Sequence, residues 1–202
     1  MTKYNNDRSF TDYVHDELAI PKIYNPLGWD VLDIDDDELE AKDINEGIDY
    51  VLINSDTGEI FNVQERFRDN YYKSYNDATL RYRREFNTNP ERIKSEFYKI
   101  KADYLVYGIT DGSKWPEKRH TLTDFIKWVI LDVKFIQSKF EDGKIKIVSS
   151  ARNTCWLEED ILCCPENFNP DGSSSFLPFD IPLIFNLWGK EPIFAQNGFI
   201  TI

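Results

Sequence analysis

The chain has 202 residues, a net charge of −12 at neutral pH, and Phe, Tyr and Trp at 15% of its positions. That length suits one well-buried core and excludes two ordinary domains, and the aromatic supply argues for a packed interior and against disorder. The acidity opposes nucleic-acid binding over the surface as a whole.

No apolar run approaches a bilayer span and no charged-then-apolar leader opens the sequence, so a cytoplasmic protein with no membrane partner is expected. Cys155, Cys163 and Cys164 are an odd count with two adjacent, a poor disulfide framework and the pattern of reduced, buried thiols. The only histidines, His15 and His120, are too remote in sequence to complete a zinc site with them.

In chain order, Phe10, Tyr13, Val14 and Leu18 recur at helical spacing from a Ser9 cap to Pro21. Asp12, Asp16 and Glu17 ride on this helix, most simply as a solvated face. Residues 31–34 suggest a short strand. The acid run 35–40 reads as a solvated loop, with a metal-attracting rim or a mimic of phosphate spacing as its alternatives.

Two β-rich runs follow, residues 47–53 and 60–68, separated by an Asp56-Thr57-Gly58 break of hairpin length. Residues 69–77 form a loop rich in Tyr and Asn, and residues 79–83 alternate as a strand with Arg81 and Arg83 on one face. Pro90 opens a helix to about Lys101. Residues 102–110 are the clearest buried strand, residues 121–140 read as the longest helix, and residues 144–148 as a strand with outward lysines. Residues 151–202 read as loop and short strand.

The expected fold class is α/β (or α+β), a central mixed β-sheet flanked by helices. One domain spans residues 1–202, with its core at about 9–150 and a wrap at about 151–202. Charge is polarised along the chain. Residues 30–49 hold ten acids against Lys42 alone, whereas residues 60–101 hold ten cations against six acids.

Within the hairpin, Asp49 opens the first strand, and Gln64 and Arg66 lie two apart on the second, so their side chains leave one face. An acid and a polar oxygen can hold Mg²⁺, and a neighbouring cation can steady a phosphorane. Arg68 continues that face. Tyr71, Tyr72, Tyr75, Tyr82, Phe86, Phe97 and Tyr98 interleave with the basic residues, as packing groups or as a stacking surface for bases. There is no Gly-rich phosphate loop, no G-x-S-x-G and no H-E-x-x-H.

At Asp49, Gln64 and Arg66 the chain resembles the PD-(D/E)xK, or restriction-endonuclease-like, nucleases, in a divergent Q-x-R form covering roughly residues 45–110. The resemblance implies a restriction-endonuclease-like core and Mg²⁺- (or Mn²⁺-) dependent hydrolysis of DNA, with RNA as the alternative substrate. It places Asp49 and Gln64 as metal ligands, Arg66 in the catalytic-lysine position and Glu17 as a further helix acid. Arg68, Arg81, Arg83 and Lys101 would engage phosphate, and a homodimer is one arrangement such enzymes use. Arg for Lys is a real departure, because a guanidinium stays charged and binds phosphate as a fork. It leaves two other readings open: an inactive nuclease-fold protein that binds nucleic acid or protein, and an acidic inhibitor or mimic presenting residues 30–49.

Overall fold

The computed structural model describes residues 3–83, 96–170, 172 and 174–200. A helix α1, Lys3–Val14, continues without a break as a wider π-helical stretch, His15–Tyr24, and a single 3₁₀ turn, Asn25–Leu27. The helix therefore runs through Pro21, where the spacing predicts it to stop. The widened ladder, in which Asn25 N–H donates to Ile20 O, accommodates a residue with no N–H of its own. Gly28, in the left-handed region at φ 69°, turns the chain into β1, Trp29–Val31.

The acid run is not a loop. Asp35 caps helix α2, Asp36–Glu46, by accepting from Asp37 N–H at 3.1 Å. Acids crowded into a first helical turn meet the positive end of the helix dipole, so the run that looks merely solvated is a helix-start signal. The hairpin forms as its spacing predicts: β2, Tyr50–Asn54, pairs antiparallel with β3, Ile60–Arg68, in the register Tyr50–Val63 to Ile53–Ile60. Asn54 Oδ1 accepts from the N–H groups of Asp56 and Thr57 and shapes the turn.

Strand β4, Asp77–Arg83, follows, then a short helix α3, Glu96–Lys99. The start of the helix predicted from Pro90 lies outside the described residues. Strand β5, Tyr104–Thr110, pairs parallel with β3. The predicted long helix 121–140 is instead a strand β6, Phe125–Asp132, followed by helix α4, Val133–Glu141. A strand buried on both faces is an almost unbroken apolar run, and periodicity alone does not separate it from a buried helix. Asp132, which interrupts the apolar face of the supposed helix, is the N-cap of α4 and accepts from Phe135 N–H at 2.8 Å.

Residues 144–148 contain β7, Ile145–Val148, as expected. Beyond it, the stretch read as loop and short strand holds β8, Trp156–Glu158, β9, Ile161–Pro165, β10, Asn167–Phe168, and β11, Ser175–Asp180. Helix α5, Ile181–Trp188, and β12, Ile193–Asn197, complete it.

The central sheet is mixed and six-stranded, in the order β1-β2-β3-β5-β6-β12. Two three-stranded sheets, β10-β11-β4 and β7-β9-β8, stand apart from it. Strand β4 thus pairs with β11 and not with the hairpin, against the expectation of consecutive strands in one sheet. One core lies between the central sheet and the N-terminal helix, where Val14, Leu18 and Ile23 meet Val63, Phe67 and Val106. The other lies on the opposite face, where Leu105, Val129 and Leu131 meet Leu80, Phe97 and Phe179. No helix among the described residues is long and apolar enough to cross a membrane, and the three cysteines are unbridged.

Candidate functional site

Strand β3 has two chemical faces. Phe61, Val63, Glu65 and Phe67 alternate toward the N-terminal helix, and Gln64, Arg66 and Arg68 toward the second core. Asp49 immediately precedes β2, where the regular β2–β3 register ends at Tyr50–Val63. Asp49 N–H donates to Val63 O at 2.9 Å, and Asp49 Oδ2 accepts from Glu65 N–H at 2.6 Å. The carboxylate is thereby held at the end of the ladder. Gln64 is buried, and among the described residues its Oε1 has no hydrogen-bond partner. A buried carbonyl without a partner is costly and rare in folded proteins.

Arg66 is half-buried and in register with Tyr107 of β5, beside which Arg68 also lies. Burial pushes the Tyr107 hydroxyl up, partly offset by the positive charges of Arg68 and Arg66. The structure therefore brings Gln64, Arg66 and Arg68 to one face, and sets Asp49 at the end of the ladder beside Glu65, where its charge also acts on Tyr24 and Tyr50 of the other face. It does not bring Glu17 to the face of Gln64, because the π-helical stretch carrying it packs on the opposite face of the sheet, with Glu17 itself exposed.

The basic residues have internal partners. Arg68 donates through Nη2 to Thr79 Oγ1 at 3.0 Å and lies over the Tyr72 ring at 4.7 Å. Arg83 forms a two-pronged bond to Glu166, Nε to Oε1 at 2.6 Å and Nη2 to Oε2 at 2.5 Å. Lys101 bonds Glu46 at 2.7 Å across exposed surface. Arg81 is half-buried opposite Phe176, and the ladder steps irregularly from that pair to Arg83–Ser175, which breaks the alternation predicted for the two arginines.

Behind the strand is a cluster that sequence spacing does not reveal. The Glu65 carboxylate is fully buried; its Oε1 accepts from the Tyr24 hydroxyl and meets His15 Nδ1 at 2.8 Å. His15 stacks flat on Tyr50, with ring centroids 3.6 Å apart. Burial first, and then the Glu65 charge, push the hydroxyls of Tyr24 and Tyr50 well above the ordinary tyrosine range. Residues 15, 24, 50 and 65 share no motif. The one visible signal is an acid at Glu65, on a face where a strand of this kind carries apolar residues.

Among the described residues, no three His, Cys, Asp or Glu side chains stand together as a metal-binding group. No family model, no curated protein and no solved structure matches this chain.

Proposed function

We propose that the chain is a Mg²⁺- or Mn²⁺-dependent phosphodiesterase acting on DNA, with its site at Asp49, Gln64 and Arg66 and a core of restriction-endonuclease-like type. The observation that carries this reading is the buried Gln64 Oε1, without a partner among the described residues, one residue along β3 from the Glu65 N–H that holds the Asp49 carboxylate. Mg²⁺ is commonly held by one or two protein oxygens, with water and substrate phosphate completing its shell, so a single carboxylate and one amide oxygen fit it. The strand order supports the core assignment, since β3 lies between its hairpin partner and a parallel strand reached by a crossover.

Asp49 and Gln64 would hold the ion. When bound, the ion supplies a more acidic water and hence a nucleophile at neutral pH. Glu65 N–H fixes the orientation of Asp49. Arg66 remains charged, does not act as a base, and presents a fork to phosphate oxygens as negative charge develops. The single carboxylate favours a second reading, a non-catalytic nuclease-fold protein that binds nucleic acid or a protein partner.

The test is nicking of plasmid DNA with Mg²⁺ or Mn²⁺. The expected result is cleavage that is abolished in Asp49→Asn, lost in Arg66→Ala and partly kept in Arg66→Lys, with all three variants unfolding cooperatively. Wild-type inertness on duplex, single-stranded and branched substrates would establish the second reading instead.

A further inference from the structure

Strands β3 and β5 run parallel and end side by side, at Arg68 and Thr110, so the loops that follow emerge at one edge of the sheet. The buried carboxylate of Asp69 ties these loops together. Its Oδ1 accepts from Tyr71 N–H and its Oδ2 from Lys114 N–H, each at 3.3 Å. Asn70 reinforces the junction, its N–H donating to Gly112 O at 3.0 Å and its Nδ2 to Asp111 O at 3.2 Å.

On this bonded frame three large rings stand in water. Tyr71 is 78% exposed, Trp115 53% and Tyr75 47%. Tyr71 is edge-on to Tyr72, which in turn lies against the Arg68 guanidinium. A single exposed aromatic needs no explanation, but several on one ordered rim do. The local charge differs from that of the whole chain. Residues 69–76 and 111–121 hold Lys73, Lys114, Lys118 and Arg119 against Asp69, Asp111 and Glu117, with both aspartates engaged in hydrogen bonds of the frame, in a protein of net charge −12.

We infer that this rim, residues 69–76 with 111–121, binds single-stranded nucleic acid. The inference rests on the phosphodiesterase reading and adds a substrate class to it. Protruding rings interleaved with cations are what unpaired bases and their phosphates require: each base offers a face for stacking, and the lysines follow the backbone. A duplex hides those faces. A protein partner would be better served by a continuous apolar patch than by rings separated by charges. Gln64, Arg66 and Arg68 lie along one side of β3, whose end at Arg68 runs into the rim.

The test is fluorescence anisotropy of labelled oligo(dT), oligo(rU) and a hairpin duplex, in EDTA and with Asp49→Asn so that no cleavage intervenes. A single strand is expected to bind more tightly than the duplex, and the two oligonucleotides distinguish DNA from RNA. Tyr71→Ala and Trp115→Ala should each weaken binding by about 5- to 150-fold, whereas Tyr71→Phe and Trp115→Phe should retain it. Lys114→Ala with Lys118→Ala should flatten the salt slope by about 1.4. Binding that prefers duplex, ignores both rings or fails altogether overturns the rim assignment. Rim binding by a wild type that cleaves nothing would remove the enzyme reading and keep the rim, while cleavage without ring dependence would do the reverse.

Discussion

Glu65 ties both Asp49 and the buried cluster to β3. Its backbone N–H orients Asp49, while its carboxylate, with Oε2 unpartnered among the described residues, anchors Tyr24 and His15. Replacing Glu65 with Leu leaves a buried hydroxyl and a ring nitrogen without their acceptor, so a loss of about 3–5 kcal/mol in urea unfolding is expected. Glu65→Gln should lose less.

The tyrosines behind the strand add a pH dependence. Tyr24 and Tyr50 stay protonated in the fold, from burial first and the Glu65 charge second, whereas unfolded tyrosine titrates near 10. Stability from this source is therefore complete below about pH 10 and falls as the pH rises above it. Urea midpoints measured from pH 8 to 11 should drop, and Tyr24→Phe should make the drop shallower; an equal drop in the variant would remove Tyr24 from the account.

At the scale of elements, the pairing of β4 with β11 sets Asp77 opposite Asp180, two carboxylates in register. Burial pushes Asp77 up to about 6, against the pull of its own backbone hydrogen bond and of Arg68 and Lys127, and burial also raises Asp180. Because the folded value lies above the unfolded one, the stability from Asp77 is full below about pH 4 and lost as the pH rises through about 6. Asp77→Asn should therefore stabilise the protein at pH 7.5 by about 1–2 kcal/mol and have little effect at pH 4. Destabilisation at pH 7.5 would mean that the carboxylate is needed as the partner of Arg68 and Lys127. The same pairing places the basic stretch 79–83 in a sheet other than that of β3.

For the molecule as a whole, the last strand closes the sheet. β12 covers the edge of β6, and Ile193 and Phe199 join the second core. Ending the chain after Gly189 would expose the β6 ladder and remove those apolar groups, so it should abolish the cooperative thermal transition and promote aggregation. A truncated chain that melts sharply would show that the central sheet's other five strands suffice.

Local chemistry settled several features without reference to the rest of the molecule. The hairpin at residues 50–68, the shared face of Gln64 and Arg66, the buried strand at Tyr104–Thr110 and the unbridged cysteines all follow from periodicity of two, a turn at Asp56-Thr57-Gly58, and residue type. Other features depended on neighbours remote in sequence. Whether residues 125–132 are strand or helix was decided by β5 and β12 on either side, because burial on both faces erases the amphipathic signal. The assignment of β4 to a second sheet came from β11, nearly a hundred residues later. The acceptor role of Glu65, the orphan oxygen of Gln64 and the Asp69 junction are products of tertiary contact. Hydrogen bonds from side chains to partners 41 to 50 residues away leave no period in the sequence.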